Sequence, residues 1–181
     1  MADTSNLTDD TATVAASANT DQIATFPSAM IRAVPSFLFS VPRGWILDEA
    51  PDALTVVRTP EEVNNFWVNA LLSHDRVPRS LDFKQAAAAT WARLQRSSPG
   101  ATADMERLAR FGTNVVYLRG VELDAPKTGR KLGQLHALFF APAEDDGKTV
   151  DFFQWVCTCP SEDMDRFGPA FVELIGSFRF T

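Results

Sequence analysis

Hydrophobic and polar positions alternate with period two through much of this chain, the signature of strands with two distinct faces. Over Ser36–Val41, Phe37, Phe39 and Val41 share a face, and Pro42–Gly44 close the run in a turn. Leu54–Arg58 is a second β-rich run, closed by Thr59–Pro60. Phe66–Leu72 reads as a third strand, with Phe66, Val68, Ala70 and Leu72 on one side. The period then changes. Phe83, Ala87, Trp91 and Leu94 recur at helical spacing, and the run Ala86–Ala89 suits a helix packed closely on a sheet. Ser80 is the expected N-cap of this helix, with Asp82 in its first turn and Ser97–Gly100 ending it near Arg96.

Strands return at Met105–Phe111, Val115–Leu123, Leu132–Phe140 and Thr149–Thr158. Pro126–Lys131 reads as a loop, and Asp146–Gly147 is a hairpin signal between the last two strands. A two-residue loop there places His136 opposite Cys157; a longer loop gives other registers. Pro160 ends the strand. Ser161 is the expected cap of a final helix whose buried stripe is Met164, Phe167, Phe171, Leu174 and Ile175, with a kink or a late start at Pro169. Ser177–Phe180 forms a short edge strand or packs down. The order is three strands, a helix, about four strands and a helix. It predicts an α+β fold, a central antiparallel sheet of about six to seven strands flanked by two main helices. Phe139, Phe140, Phe152 and Phe153 stand as adjacent pairs, so both faces of the last hairpin are apolar and each needs a helix to cover it.

Composition sharpens this picture at the N-terminus. The 181 residues carry 17 Lys and Arg against 23 Asp and Glu, a net charge of −6. Four acids and no base lie in residues 1–31, and residues 2–25 are mostly Ala, Thr, Ser, Asn and Asp. Such a segment buries too little apolar surface to offset the entropy of ordering it. It reads as a disordered or loosely docked acidic tail, followed by a single α+β domain over 32–181. The acidic balance argues against nucleic acid as a partner. No apolar run spans a bilayer, and no basic n-region, apolar h-region or lipobox Cys is visible. The expected location is the cytoplasm, short of a signal-independent export route.

Several short motifs carry a resemblance. The Phe-rich first strand runs into Pro42-Arg-Gly-Trp45; Asn65-Phe-Trp-Val-Asn69 follows, then the Trp-bearing helix, the paired long strands and Ile175-Gly-Ser-Phe178. Over about residues 34–180 this resembles the actinobacterial LpqN-type proteins, and more broadly the fold of the photosystem protein PsbP and the Ran-binding protein Mog. The resemblance implies a binding module such as an adaptor or chaperone with an unidentified protein partner. It brings no catalytic residues and no cofactor. The chain departs from the LpqN type in lacking a lipid-attachment Cys, so a lipoprotein location does not carry over.

The chemistry-bearing residues are few. Cys157, Cys159, His74 and His136 are all the Cys and His present, from three elements, and a zinc site would need every one of them. Cys157 and Cys159 lie about 7 Å apart on one strand face, too far for a relaxed disulfide, which favours free thiols. They are the candidate reactive thiols, Cys159 ahead because it precedes a helix. A Cys/His nucleophile pair with His136 is the enzymatic alternative. His74–Arg76 reads as a solvated loop, and Lys127, Arg130 and Lys131 as a small basic loop. No phosphate loop, dinucleotide fingerprint or complete calcium loop occurs. The richest feature is aromatic: 14 Phe and four Trp against one Tyr. Most form the core. Trp45, Trp67, Phe140, Phe153 and Trp155 are the candidates for a binding patch, or for the lining of a small apolar ligand's cavity.

Overall fold

The computed structural model describes Pro27, residues 32–143 and residues 147–181. The expected acidic tail, apart from Pro27, and the Asp146 turn lie outside the described residues. From Val34 to Thr181 the chain forms β1 (Phe37–Leu38), β2 (Ile46–Asp48), β3 (Thr55–Arg58), β4 (Asn69–Pro78), α1 (Phe83–Ser97), β5 (Thr102–Phe111), β6 (Asn114–Asp124), β7 (Lys131–Phe140), β8 (Thr149–Pro160), a single 3-10 turn (Ser161–Asp163), α2 (Met164–Ser177) and β9 (Arg179–Phe180). Seven strands make one antiparallel sheet in the order β2-β3-β4-β8-β7-β6-β5, and β1 pairs with β9 in a small second sheet.

Alternation along β8 sets the layers. Phe153, Trp155, Cys157 and Cys159 point into the main core with Phe167, Phe171, Leu174, Ile175 and Phe178. Phe152 points the other way, against Leu138 and the Ala86–Ala87 surface of α1. The two helices thus cover opposite faces, as the paired phenylalanines require. Phe178, just past the end of α2, is the hub of the main core: its ring lies 4.9–5.8 Å from those of Phe37, Phe139, Phe153 and Phe180.

Local chemistry explains the helix start and corrects one expectation. Asp82, not Ser80, is the N-cap of α1. Its Oδ1 accepts from Gln85 N–H at 2.8 Å, and Gln85 Oε1 accepts from Asp82 N–H at 3.0 Å, a reciprocal capping box. Ser161 likewise makes no helix-capping bond; its hydroxyl donates to Glu122 at 2.8 Å, and it opens the 3-10 turn that leads into α2. α2 runs through Pro169, whose missing N–H falls within the helix's second turn.

Strand limits move too. β4 begins at Asn69 and runs on through His74–Arg76, which are strand and not loop. Asp151 on β8 explains the extension: its carboxylate accepts from His74 at 2.8 Å and from Arg76 at 3.2 Å, so the polar trio is tied into the sheet. The segment before β4 is a tight turn. Asn64 and Asn65 both adopt positive φ, 52° and 58°, and Val63 and Phe66 exchange backbone hydrogen bonds across them. Asparagine tolerates that left-handed conformation, which gives the Asn65-Phe motif a backbone role. β5 and β6 join through Gly112–Thr113, with glycine at positive φ in the first central position, the type II′ pattern.

Candidate binding surface

The register of β7 on β8 decides the fate of the Cys/His pair. Cys157 faces Leu135, and His136 faces Val156. His136 therefore projects from the α1 side of the sheet, while both cysteines project into the core under α2. The nucleophile pair is not formed. Both thiols are fully buried. Burial raises the Cys157 thiol far above its ordinary range, with Cys159 adding to the shift. Burial, then the acidic charges of Asp163 and Glu162, push Cys159 up to about 12. Neither sulfur is a thiolate near neutral pH. Among the described residues no three His, Cys, Asp or Glu side chains are placed to hold a metal ion.

The aromatic candidates separate into core and surface. Phe153 and Trp155 are fully buried and belong to the core, not to a patch, because the odd positions of β8 face α2. Trp45 is half-buried and stands edge-on to Phe167 and Phe171, bracing α2. Phe140 is half-buried between Phe83 and Phe152, at the start of α1. Trp67 alone of the five stays open, at 40% exposure, with the Arg58 guanidinium 4.3 Å over its ring. Arg58 is in turn held by Asp48 at 2.6 Å and pairs across the sheet with Ile46. Ile46, opposite Arg58, is exposed on the same face, whereas Leu47 (59% exposed), opposite the buried Val57, projects to the α2 side; Leu54 just before β3 is also exposed.

Leu54 also borders a concavity on this face. α1 sits over β6 and β7, where Trp91 and Leu94 pack with Val121, Leu123 and Leu132. The β3–β4–β8 part of the same face is left as a trench of about 770 Å³ between Leu54, Leu71 and Ser73 on one side and Thr90, Arg93 and Leu94 on the other. Its floor is a polar ladder. Gln154 Nε2 donates to His136 Nδ1 at 3.3 Å, His136 Nε2 donates to Gln134 Oε1 at 2.8 Å, and Gln134 Nε2 donates to Thr158 Oγ1 at 3.2 Å. This order suits a neutral imidazole. Burial, and then the positive charge of Arg119, hold His136 down at about 4.

Arg119, opposite His136 on β6, is the buried cation of this face. Its Nε donates to Glu106 at 2.6 Å, both terminal nitrogens donate to the Ala87 carbonyl at 3.1 Å, and Nη2 reaches the Tyr117 hydroxyl at 3.2 Å. Trp91 covers the guanidinium at 4.9 Å. The arginine hydrogen bond keeps the Glu106 carboxyl below its ordinary value. Sequence reasoning missed this clamp, since a lone Arg in an alternating strand reads as solvent-facing. Two residues of the predicted basic loop are engaged internally: Arg130 binds Glu162 at 2.8 Å and the Asn64 carbonyl, and Lys131 binds Asp124 at 3.1 Å.

The other face carries a second, smaller cavity of about 400 Å³ between α2 and the β5–β7 strands. Met105, Leu118, Leu135, Met164 and Val172 line it, over a floor where Gly120 and Gly133 present no side chain. A Cβ on Gly133 would meet the Met164 methyl, Cε, at 2.7 Å, so this glycine leaves room for the flexible end of the Met164 side chain.

A seven-stranded antiparallel sheet with one helix on each face is the PsbP/Mog-like architecture, and solved structures share it. LpqN, described as involved in cell envelope biogenesis of Mycobacterium tuberculosis, superposes with a TM-score of 0.64 at 15% identity, covering 82% of this chain and 84% of that one. Cyanobacterial PsbP (CyanoP) from Synechocystis gives 0.55 at 15% identity, covering 80% and 86%. The Ran-binding protein Mog1p of Saccharomyces cerevisiae gives 0.51 at 16% identity, covering 80% and 89%. The fold is thus PsbP/Mog-like. No family model and no curated relative matches the chain.

Proposed function

We propose that this chain is a non-enzymatic binding module that holds a segment of a protein partner in the trench beside α1. The observation that carries this reading is the half-covered sheet face: a trench of about 770 Å³ with a hydrogen-bonding floor and the exposed Leu54 on its wall. An extended peptide offers alternating polar and apolar groups that suit such a surface. The described groups that resemble catalytic machinery are spent structurally: His136 is locked in the ladder and both thiols are enclosed. The Ran-binding description of Mog1p is consistent with a fold that serves protein recognition. Among the described residues no helix is long and apolar enough to cross a membrane, and free buried cysteines suit a reducing compartment such as the cytoplasm.

The test is affinity capture from the source cell with the full chain, beside Leu54→Asp and a control Val172→Asp on the opposite face. A partner kept by the wild type and the control but lost by the trench variant supports the reading. Equal capture by all three refutes it. The apolar cavity under α2 supports a second reading, a small apolar ligand lined by Leu118, Leu135 and Met164. Native mass spectrometry showing an added small mass, lost in Val172→Asp, would favour it.

A further inference from the structure

The two edges of the large sheet are not alike. One edge is β2, three residues long. The other is β5, ten residues long, paired on one side only, with β6. A long unpaired edge exposes a row of N–H and C=O groups that template pairing with another chain. Natural edges are blunted by Pro, by charged side chains, Lys above all, or by bulges; β5 has no Pro and no Lys, its one bulge lies at its start, between Ala103 and Met105, and its charges include both signs, Asp104 and Glu106 against Arg107 and Arg110. Leu108, in mid-strand, is 61% exposed.

The hairpin geometry fixes which groups point outward. In a two-residue hairpin the residues flanking the turn, here Phe111 and Asn114, form a hydrogen-bonded pair. Bonded and non-bonded pairs alternate from there, so Phe111, Ala109 and Arg107 spend their backbone groups on β6. Arg110, Leu108 and Glu106 turn theirs to the open edge. Those same three residues read acid, apolar, base along the strand, a pattern complementary to itself when reversed.

We propose that the open edge of β5 is a self-pairing surface, on which two copies of this chain join antiparallel about Leu108 and merge their sheets. Leu108 of one copy then faces Leu108 of the other, and Glu106 faces Arg110 twice. Each of these pairs exchanges two backbone hydrogen bonds, and opposite charges directly across strands are favourable. The charges select this register. Centring on Glu106, Arg107 or Arg110 would place like charges directly opposite each other, and centring on Ala109 would set Leu108 against Arg110. Glu106, half-exposed beside Arg119, has room for a second cation. Arg110 makes no hydrogen bond or ion pair among the described residues. The small groove between α1 and β5, bordered by Trp91, Leu108 and Tyr117, lies on the same face. The two copies' grooves meet across the Leu108 pair.

Sedimentation velocity on the full chain over a wide concentration range tests this. The expected result is a species of twice the 19.9 kDa monomer mass. Arg110→Glu replaces both attractive pairs by repulsive ones and raises the dimer's dissociation constant by roughly tenfold or more. Its thermal melt, read beside the wild type, shows that the fold is intact. Leu108→Cys gives a second measurement. A hydrogen-bonded pair brings Cα atoms within about 5.5 Å, inside disulfide range. Mild oxidation should therefore link two copies, while Glu173→Cys on α2 should not link. The native thiols are buried and do not compete. A monomer at every concentration overturns the proposal. So does a dimer indifferent to Arg110→Glu that Leu108→Cys fails to cross-link.

Discussion

Replacing His136 by Gln should abolish a specific pH dependence of stability. In the folded chain the imidazole stays neutral down to about pH 4, because burial and Arg119 disfavour its charge. Protonation would also turn Nδ1 into a donor facing the Gln154 amide nitrogen. In the unfolded chain the same group takes up its proton near its ordinary value of 6.5. Between the two values the unfolded state binds a proton that the native state does not, so stability rises with pH there. The contribution is complete above pH 6.5 and is lost as pH falls from 6.5 towards 4. At about 1.4 kcal/mol per pH unit, that window corresponds to about 3 kcal/mol. Little discount for solvent applies, since His136 is 6% exposed. Urea melts of wild type and His136→Gln between pH 7.5 and 4 isolate the effect, because titrating carboxylates are common to both. The wild type should lose about 3 kcal/mol more than the variant. The chain has two histidines, so imidazole resonances give an independent check: one should resist protonation well below pH 6. Parallel stability curves, or two histidines both titrating near 6.5, would refute the reasoning.

Phe178→Ala should cost about 4 kcal/mol, since a fully buried phenylalanine leaves a cavity and its ring neighbours lose their contacts; chemical denaturation followed by tryptophan fluorescence measures it, with an unchanged m-value. Arg119→Lys should destabilise by about 2 kcal/mol, because an ammonium cannot reach Glu106, the Ala87 carbonyl and Tyr117 together. Glu106→Gln should cost under about 1 kcal/mol, its carboxylate being half in water. Cys157 and Cys159 should resist alkylation in the native state and react only on unfolding, at a rate set by urea concentration.

Trp67 shows how one residue type divides between core and surface. The sequence placed it on a strand. The Asn64–Asn65 turn instead ends the preceding pairing early and leaves its ring outside, under Arg58. Trp155 looked equally available, yet an odd position on the central strand β8 faces α2 and is enclosed. Identical chemistry in the one-dimensional pattern thus takes opposite roles according to neighbours far along the chain.

The sequence by itself determined what local periodicity and turn chemistry control: the long strands, both helices, the α+β class and the two-sided burial of Phe139–Phe140 and Phe152–Phe153. Those features depend on residues within a turn or two of one another, and their physics is legible in the order of side chains. Tertiary structure alone decided the rest. A one-residue difference in strand register sends every side chain to the opposite face, and the β7–β8 register parted His136 from Cys157. The two-residue strands β1 and β9, from opposite ends of the domain, exist only because each satisfies the other's backbone groups. The trench beside α1 exists because one helix is too narrow to cover seven strands, and the open edge at β5 because nothing in the described chain follows it in the sheet.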